Sequence, residues 1–184
     1  MYENHMILDV NENIRLELTS LQHNEALFEV IDRNRAHLSR FLSWVEDMER
    51  PGHVKSYLQN CELLYRERKE VSFVIKNKDK VCGRIGLHHL NLQNKSGAIG
   101  YWLDKQAQGQ GIITKSCRTL MAYGFNELGL NRIELKAATE NAGSRAVPVR
   151  LGFTQEGILR QAELVNGKFL DLVLYAFLKQ DWAG

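Results

Sequence analysis

Only two prolines and three cysteines stand among the 184 residues of this chain. Cys61, Cys82 and Cys117 are widely separated and form no C-x-x-C pair, so neither a zinc knuckle nor a dithiol redox motif is indicated. A disulfide framework is not needed either, because a chain this long can bury a substantial core without staples. Excess charge is missing: 24 Lys and Arg against 22 Asp and Glu leave +2 at neutral pH, which gives no overall reason to expect direct DNA binding. No apolar run approaches the roughly 18 residues of a membrane span. The opening M-Y-E-N-H-M-I-L-D-V carries acids where a secretion signal needs a basic start. The expected address is therefore the cytoplasm, with no membrane partner. A hydrophobic share of 44% with so small a net charge excludes disorder. With 14 glycines and two prolines, collagen-like and low-complexity classes fail as well. The length fits a single domain, residues 1–184, and neither a linker nor an internal repeat interrupts it.

What is present is a succession of strand and helix patterns. Ile14, Leu16 and Leu18 alternate with Arg15 and Glu17, as in a half-buried strand. Thr19 and Ser20 offer caps for a helix from about Leu21 to Asn34, and a short helical piece holds Leu38, Phe41, Leu42 and Trp44. Helical spacing resumes from about His53 to Arg68 through Val54, Leu58, Cys61, Leu64 and Tyr65. Val71 to Ile75, Val81 to Leu90 and Ala98 to Leu103 read as an antiparallel meander. A helix from about Ile112 to Leu128 lets the strand Arg132 to Ala138 run parallel to its predecessor. A short helix, Asn141 to Leu151, leads to a hairpin of Thr154–Glu163 and Lys168–Leu178 around the turn dipeptide Asn166-Gly167. The order β-α-α-β-β-β-α-β-α-β-β defines a mixed α/β (α+β) class, not a doubly wound nucleotide fold, which needs regular βαβ alternation.

The segment Gln106-Ala107-Gln108-Gly109-Gln110-Gly111-Ile112 joins the strand ending at Leu103 to the long helix. Two glycines ahead of a helix permit backbone conformations closed to other residues. The unpaired N–H groups of the first helical turn, with the helix dipole behind them, then favour an anion. This is neither a Walker loop nor a dinucleotide G-x-G-x-x-G. From the loop alone, a tight packing turn and a diphosphate cradle both remain open.

The pattern Gln106-x-x-Gly109-x-Gly111 resembles the Q/R-x-x-G-x-G/A signature of the GNAT superfamily of N-acetyltransferases, and the element order is similar along almost the whole chain. Ile99-Gly100-Tyr101-Trp102-Leu103, Asn141-x-x-Ser144, Gly152-Phe153 with Glu156-Gly157, Gln161-Ala162-Glu163, and Asn166 followed by Asp171 narrow the resemblance. They are similar to the Rim-type (RimJ/RimL) ribosomal-protein N-terminal acetyltransferases, most of all to the RimL group, which acetylates the N-terminal serine of a ribosomal stalk protein. The resemblance implies a central, mostly antiparallel sheet of about seven strands, flanked by about four helices and splayed between its fourth and fifth strands. It also implies acetyl-CoA as donor, no metal, direct transfer to an amine in a ternary complex, and a homodimer.

By the same resemblance, the diphosphate of acetyl-CoA lies on the N–H groups of Gln108, Gly109, Gln110, Gly111 and Ile112, with the Thr114 hydroxyl nearby. A backbone N–H within Tyr101, Trp102 and Leu103 polarises the thioester carbonyl. Asn141 holds the cofactor arm or positions Ser144. Glu163 matches the base acting through water, and Ser144 the donor of a proton to the departing thiolate. The acceptor is an α-amine, whose pKa of about 7.7–8.0 lies far below the ~10.4 of lysine, so a modest base suffices. The runner-up acceptor is a small amine: a polyamine, an aminoglycoside or an amino-acid derivative. A third reading is a non-catalytic acetyl-CoA-binding module, for which Ser144 and Glu163 have no use. Without the resemblance, Glu163 reads as a solvated carboxylate and Asn141 with Ser144 as a helix cap.

Other residues draw structural expectations. His88 and His89 are adjacent on a strand and should face opposite sides. Cys117 falls on the apolar stripe of the long helix. Tyr101, Tyr123 and Tyr175 read as packing residues. Lys115 and Arg118, and the basic run Arg33, Arg35, His37 and Arg40, read as solvated faces. Trp44 and the acidic Glu46, Asp47 and Glu49 fall where acetyltransferases of this superfamily wall the acceptor site. Pro148 has no N–H for the Ser144 carbonyl, which predicts a bend in that helix and a free carbonyl.

Overall fold

The computed structural model describes residues 6–183. One sheet organises them, built from β1 (Ile7–Asp9), β2 (Ile14–Leu18), β3 (Val71–Asn77), β4 (Lys80–Asn91), β5 (Ser96–Leu103), β6 (Arg132–Ala138), β7 (Thr154–Val165) and β8 (Lys168–Leu178). Their spatial order is β1-β2-β3-β4-β5-β6-β8-β7, and every neighbouring pair is antiparallel except β5 and β6. The helices are α1 (Asn24–Arg33), α2 (Arg35–Leu38), α3 (Pro51–Arg66), α4 (Ile112–Asn126) and α5 (Ala142–Leu151).

The alternation along β3 shows why both faces of the sheet are covered. Val71, Phe73 and Ile75 point into a cluster with Leu120, Met121 and Phe125 of α4 and Val147 and Leu151 of α5. Val74 points the other way, into a cluster with Leu27, Val30 and Ile31 of α1, Val54 and Leu58 of α3, and Trp102 of β5. Each such side chain contributes roughly 1.5–3 kcal/mol through removal from water. Helix α4 can lie this close to the sheet because of Gly124, where a Cβ would come within 3.1 Å of Ile133 Cδ1 and 3.2 Å of Leu87 Cδ1.

The mixed α/β fold class is as the sequence indicates, with eight strands among the described residues instead of about seven and five helices instead of about four. Strand β1 has three residues and a mostly exposed face, too short for any period to show. Helix α2 is a single turn that starts anew because α1 stops at Asn34, whose Nδ2 donates to the Val30 carbonyl at 2.8 Å. Asn166 (φ 49°) and Gly167 (φ 75°) form the hairpin turn expected of that dipeptide.

The feature that shapes the site is where the parallel ladder stops. β5 pairs with β6 from Ser96↔Arg132 to Ile99↔Leu135 and no further, although β5 runs on to Leu103 and β6 to Ala138. The two strands part beyond that point. On the eight-strand count this is the gap between the fifth and sixth strands, which corresponds to the splay expected between the fourth and fifth of seven.

Candidate active site

A cavity of about 420 Å³ opens at the parting of β5 and β6. Ile99, Gly100 and Tyr101 form one wall and Lys136, Ala137 and Ala138 the other. Asn141 and Ser144 enter from the start of α5, Ala162 and Glu163 from β7, His88 and His89 from β4, and Phe41 and Leu42 from the stretch after α2. Four residues scattered over more than sixty positions, Tyr101, Asn141, Ser144 and Glu163, thus meet in one space. Trp102 and Leu103 do not line it: their side chains are buried in the two cores, and only their backbone runs along the parting edge.

Asn141 is the N-cap of α5, and its Oδ1 accepts the Ser144 N–H at 3.1 Å. The cap that the spacing suggested is therefore present, and it orients the turn that carries Ser144 into the cavity. The bend expected at Pro148 is not present: α5 runs unbroken from Ala142 to Leu151. Nor is the Ser144 carbonyl free. Tyr101 donates its phenolic hydrogen to that carbonyl at 2.9 Å, in place of the N–H that a proline lacks. Burial also pushes the Tyr101 hydroxyl well above its ordinary range, so it stays protonated and acts as a fixed donor.

Glu163 lines the cavity just past an irregular stretch of β7. Leu159 pairs with Leu172 and Glu163 with Leu170, so three residues, Arg160, Gln161 and Ala162, face the single Asp171 on β8. Gln161 takes φ 50°, and its N–H donates to Asp171 Oδ1 at 2.7 Å. The Asp171 carboxylate thus props the bulge just before Glu163, a position bulges commonly take beside active sites. Burial pushes the Glu163 carboxyl above the usual carboxylate range, in the direction that brings a base nearer to neutral pH.

The glycine loop lies outside the cavity lining. Gly109 (φ 76°) and Gly111 (φ 72°) both occupy the left-handed region, and Gly111 is the N-cap of α4. A Cβ on Gly109 would touch nothing within 4 Å, so the glycine serves the backbone conformation and leaves open space above the loop. Among the described residues the N–H groups of Gly109, Gln110, Gly111 and Ile112 have no backbone acceptor, whereas that of Gln108 donates to the Lys105 carbonyl at 3.3 Å. The open left-handed loop and its unpaired donors fit the diphosphate of coenzyme A. Thr114 is half-buried in the first turn of α4, and Lys115 and Arg118 are exposed.

The basic run is only partly a solvated face. Arg33 holds Asp104 at the start of the loop, Nη2 to Oδ2 at 2.6 Å. Burial pushes the Asp104 carboxyl up, and the guanidinium and the Gln106 N–H more than offset that, leaving it below its usual range. Arg35 donates to the carbonyls of Val45 and Met48, both at 2.7 Å. His37 Nε2 meets Gln108 Nε2 at 2.8 Å. The end of α1 and the turn α2 are thus struts for the loop. Trp44 stacks on Tyr57 at 6.4 Å and tilts over Trp102 at 6.0 Å. Glu46, Asp47 and Glu49 are exposed, and Phe41 and Leu42 form the nearby cavity wall instead.

The expectation that His88 and His89 face opposite sides fails. His88 and His89 both face the cavity because β4 is bulged between His88 and Asn91, with His89 at φ 52°, so strict alternation fails there. No periodicity signals such a bulge.

An antiparallel sheet parted at its one parallel ladder, a glycine loop before α4 and a cavity at the parting define an acyl-CoA-dependent N-acyltransferase. Residues 13–154 match the model of the acetyltransferase (GNAT) domain, and the chain belongs to that family of acetyltransferases. Over 179 residues it is 38% identical to the putative ribosomal N-acetyltransferase YdaF of Bacillus subtilis, covering 95% of this chain and 96% of that protein. It is 31% identical over 169 residues to the ribosomal-protein-serine acetyltransferase of Escherichia coli, covering 92% and 94%. The solved structure of RimL, a ribosomal L7/L12 alpha-N-protein acetyltransferase in complex with coenzyme A, superposes with a TM-score of 0.91 at 29% identity, covering 94% of this chain and 98% of that one.

Proposed function

We propose that residues 1–184 form one cytoplasmic N-acetyltransferase domain that moves acetyl from acetyl-CoA to the N-terminal α-amine of a ribosomal protein, a serine at that terminus being the expected acceptor. The observation that carries this reading is the meeting of Glu163, Ser144 and the unpaired edge of β5 in one cavity, in a chain that matches ribosomal-protein acetyltransferases over nearly its whole length.

The N–H groups of Gly109 to Ile112 hold the diphosphate, with the Thr114 hydroxyl nearby, while the Gln108 N–H stays on the Lys105 carbonyl. The pantetheine arm enters between β5 and β6, where the edge of Tyr101 to Leu103 offers it backbone partners. A backbone N–H of this edge receives the oxygen of the thioester carbonyl as negative charge develops on it. Such a donor is worth about 3–4 kcal/mol in an acyl transfer. Glu163 takes a proton from the incoming ammonium through water, and its burial suits it to that task. The neutral nitrogen attacks the carbonyl carbon, the C–S bond breaks, and Ser144, oriented by Asn141, protonates the thiolate. The nitrogen sheds its second proton as the amide forms.

A homodimer also belongs to this reading. Its support is the row of exposed apolar side chains on the terminal hairpin, Ile158, Leu164 and Phe169, of which Phe169 is 57% exposed. The electrostatic balance gives no reason for a DNA partner.

The deciding experiment measures acetyl transfer against a panel of serine-starting ribosomal-protein peptides, spermidine and aminoglycosides. Turnover of the peptides with a kcat/KM far above that of the small amines is expected. Turnover of small amines alone would replace the ribosomal reading with the small-amine one. Tight acetyl-CoA binding without any turnover would leave a binding module.

A further inference from the structure

The cavity holds a second base, supported by a carboxylate, that the reaction just described does not use. His88 Nδ1 lies 2.8 Å from Glu70 Oε2. Glu70, in the loop between α3 and β3, is itself held by Arg84 Nη2 at 2.8 Å, and Arg84 is buried against the ring of Tyr57, 4.8 Å from its centroid. Burial works against the Glu70 charge, yet the hydrogen bond and charge of His88 and the Arg84 guanidinium hold its carboxyl down at about 2. A permanent carboxylate on Nδ1 selects the tautomer with its hydrogen there and leaves the Nε2 lone pair on the far side of the ring. That far side is toward β5: a Cβ on Gly100 would come within 3.2 Å of His88 Nε2. Glycine at 100 therefore leaves room for the ring against the wall where the β5 edge begins, and the ring lines the cavity there. The other charged or titratable groups around this cavity are His89 of β4, Tyr101 of β5, Lys136 of β6 and Glu163 of β7.

Amide formation from an ammonium removes two protons from nitrogen, one before attack and one from the adduct. Glu163 accounts for the first. We propose that His88, oriented by Glu70, is the catalytic group that accepts the second proton of the acceptor nitrogen through Nε2. The step balances without a further reagent. Nitrogen loses one proton to the Glu163 carboxylate and one to the imidazole, and Ser144 gives one to the thiolate. Of the two protons held, one returns to Ser144 through water and the other leaves to solvent. This rests on the acetyltransferase reading above, with Glu70 as a positioning residue that acts only through His88.

The test compares wild type, His88→Gln and Glu70→Gln in the full chain, with a peptide or amine that the wild type acetylates. Acetyl-CoA affinity is read by calorimetry, melting temperature by circular dichroism, and kcat/KM across pH. For His88→Gln the expected result is a fall in kcat on the order of 10²-fold and an unchanged acetyl-CoA affinity. For Glu70→Gln a smaller fall in kcat is expected with acetyl-CoA affinity unchanged, and the ring hydrogen is no longer held on Nδ1, because the imidazole has lost the partner that orients it. Nitrogen-resolved magnetic resonance of the His88 ring supplies a readout that does not depend on turnover, with the neutral ring carrying its hydrogen on Nδ1. Wild-type kcat in His88→Gln, or a neutral ring with its hydrogen on Nε2, would overturn this assignment alone. Failure of the wild type on every amine would overturn the acetyltransferase reading and this assignment with it.

Discussion

The Tyr101 hydroxyl donates to the Ser144 carbonyl at 2.9 Å, across the gap where β5 and β6 part. The bond ties the wall of the cavity to the helix that presents Ser144, and it exists because Pro148 cannot supply the helical N–H to that carbonyl. Tyr101→Phe should therefore leave a carbonyl without a partner, at a cost of about 1–3 kcal/mol in urea denaturation. Pro148→Ala restores the missing N–H, so the same substitution should cost less than half as much in that background. Equal costs in both backgrounds would mean that the proline and the tyrosine are not coupled.

Glu163→Gln keeps the shape of the side chain and removes its basicity. A loss in kcat of roughly 10²–10⁴-fold is expected, with acetyl-CoA affinity in calorimetry unchanged. Because burial raises the Glu163 carboxyl, activity should decline on acidification at a pH above that of an ordinary glutamate, and that decline should vanish in the variant.

Asp171 supports the bulge through its bond to the Gln161 N–H. Asp171→Ala should lower kcat by moving Glu163 while leaving acetyl-CoA affinity intact. If affinity fell in step with kcat, the role of Asp171 would lie in the fold as a whole and not in the bulge.

At Gly109, alanine and glutamate separate strain from occlusion. Alanine in the left-handed region costs roughly 1–2 kcal/mol of backbone energy and should weaken acetyl-CoA binding only modestly. Gly109→Glu puts a bulky negative side chain above the loop and should abolish it. Equal affinity for the two variants in calorimetry would place the diphosphate elsewhere.

Stability should depend on pH through Glu70. Its carboxyl is at about 2 in the folded protein against an ordinary 4.5, so the folded state binds fewer protons than the unfolded one in between. Its contribution is complete above 4.5 and is lost as pH falls from there through about 2. His23 acts in the same direction near neutrality. Burial lowers it from 6.5 despite its contact with Glu17, so protonation favours the unfolded chain and stability declines as pH drops below 6.5. Urea midpoints for wild type and Glu70→Gln between pH 3 and 8 would check this, the variant losing the steeper acidic decline.

Much of the fold is written locally, and that part was legible. The alternation of Ile14, Leu16 and Leu18, the heptad-like spacing in α3 and the Asn166-Gly167 turn each state their geometry over a few residues. The Gly109 and Gly111 conformations and the Asn141 cap are of the same kind, since backbone sterics and one side-chain acceptor settle them. What remained hidden depends on partners distant in sequence. Whether the Ser144 carbonyl is free was decided by Tyr101, 43 positions away, and whether Arg33 is solvated was decided by Asp104, 71 positions away. His88 and His89 share a cavity because a bulge in β4 breaks the period of two, and the bulge before Glu163 is held by Asp171 of the neighbouring strand, which receives its N–H. Composition, periods and turns are short-range constraints on the chain, so sequence suffices for them. A bulge, a strut or the end of a ladder lowers the free energy only when two remote segments meet, so only the folded structure could reveal it.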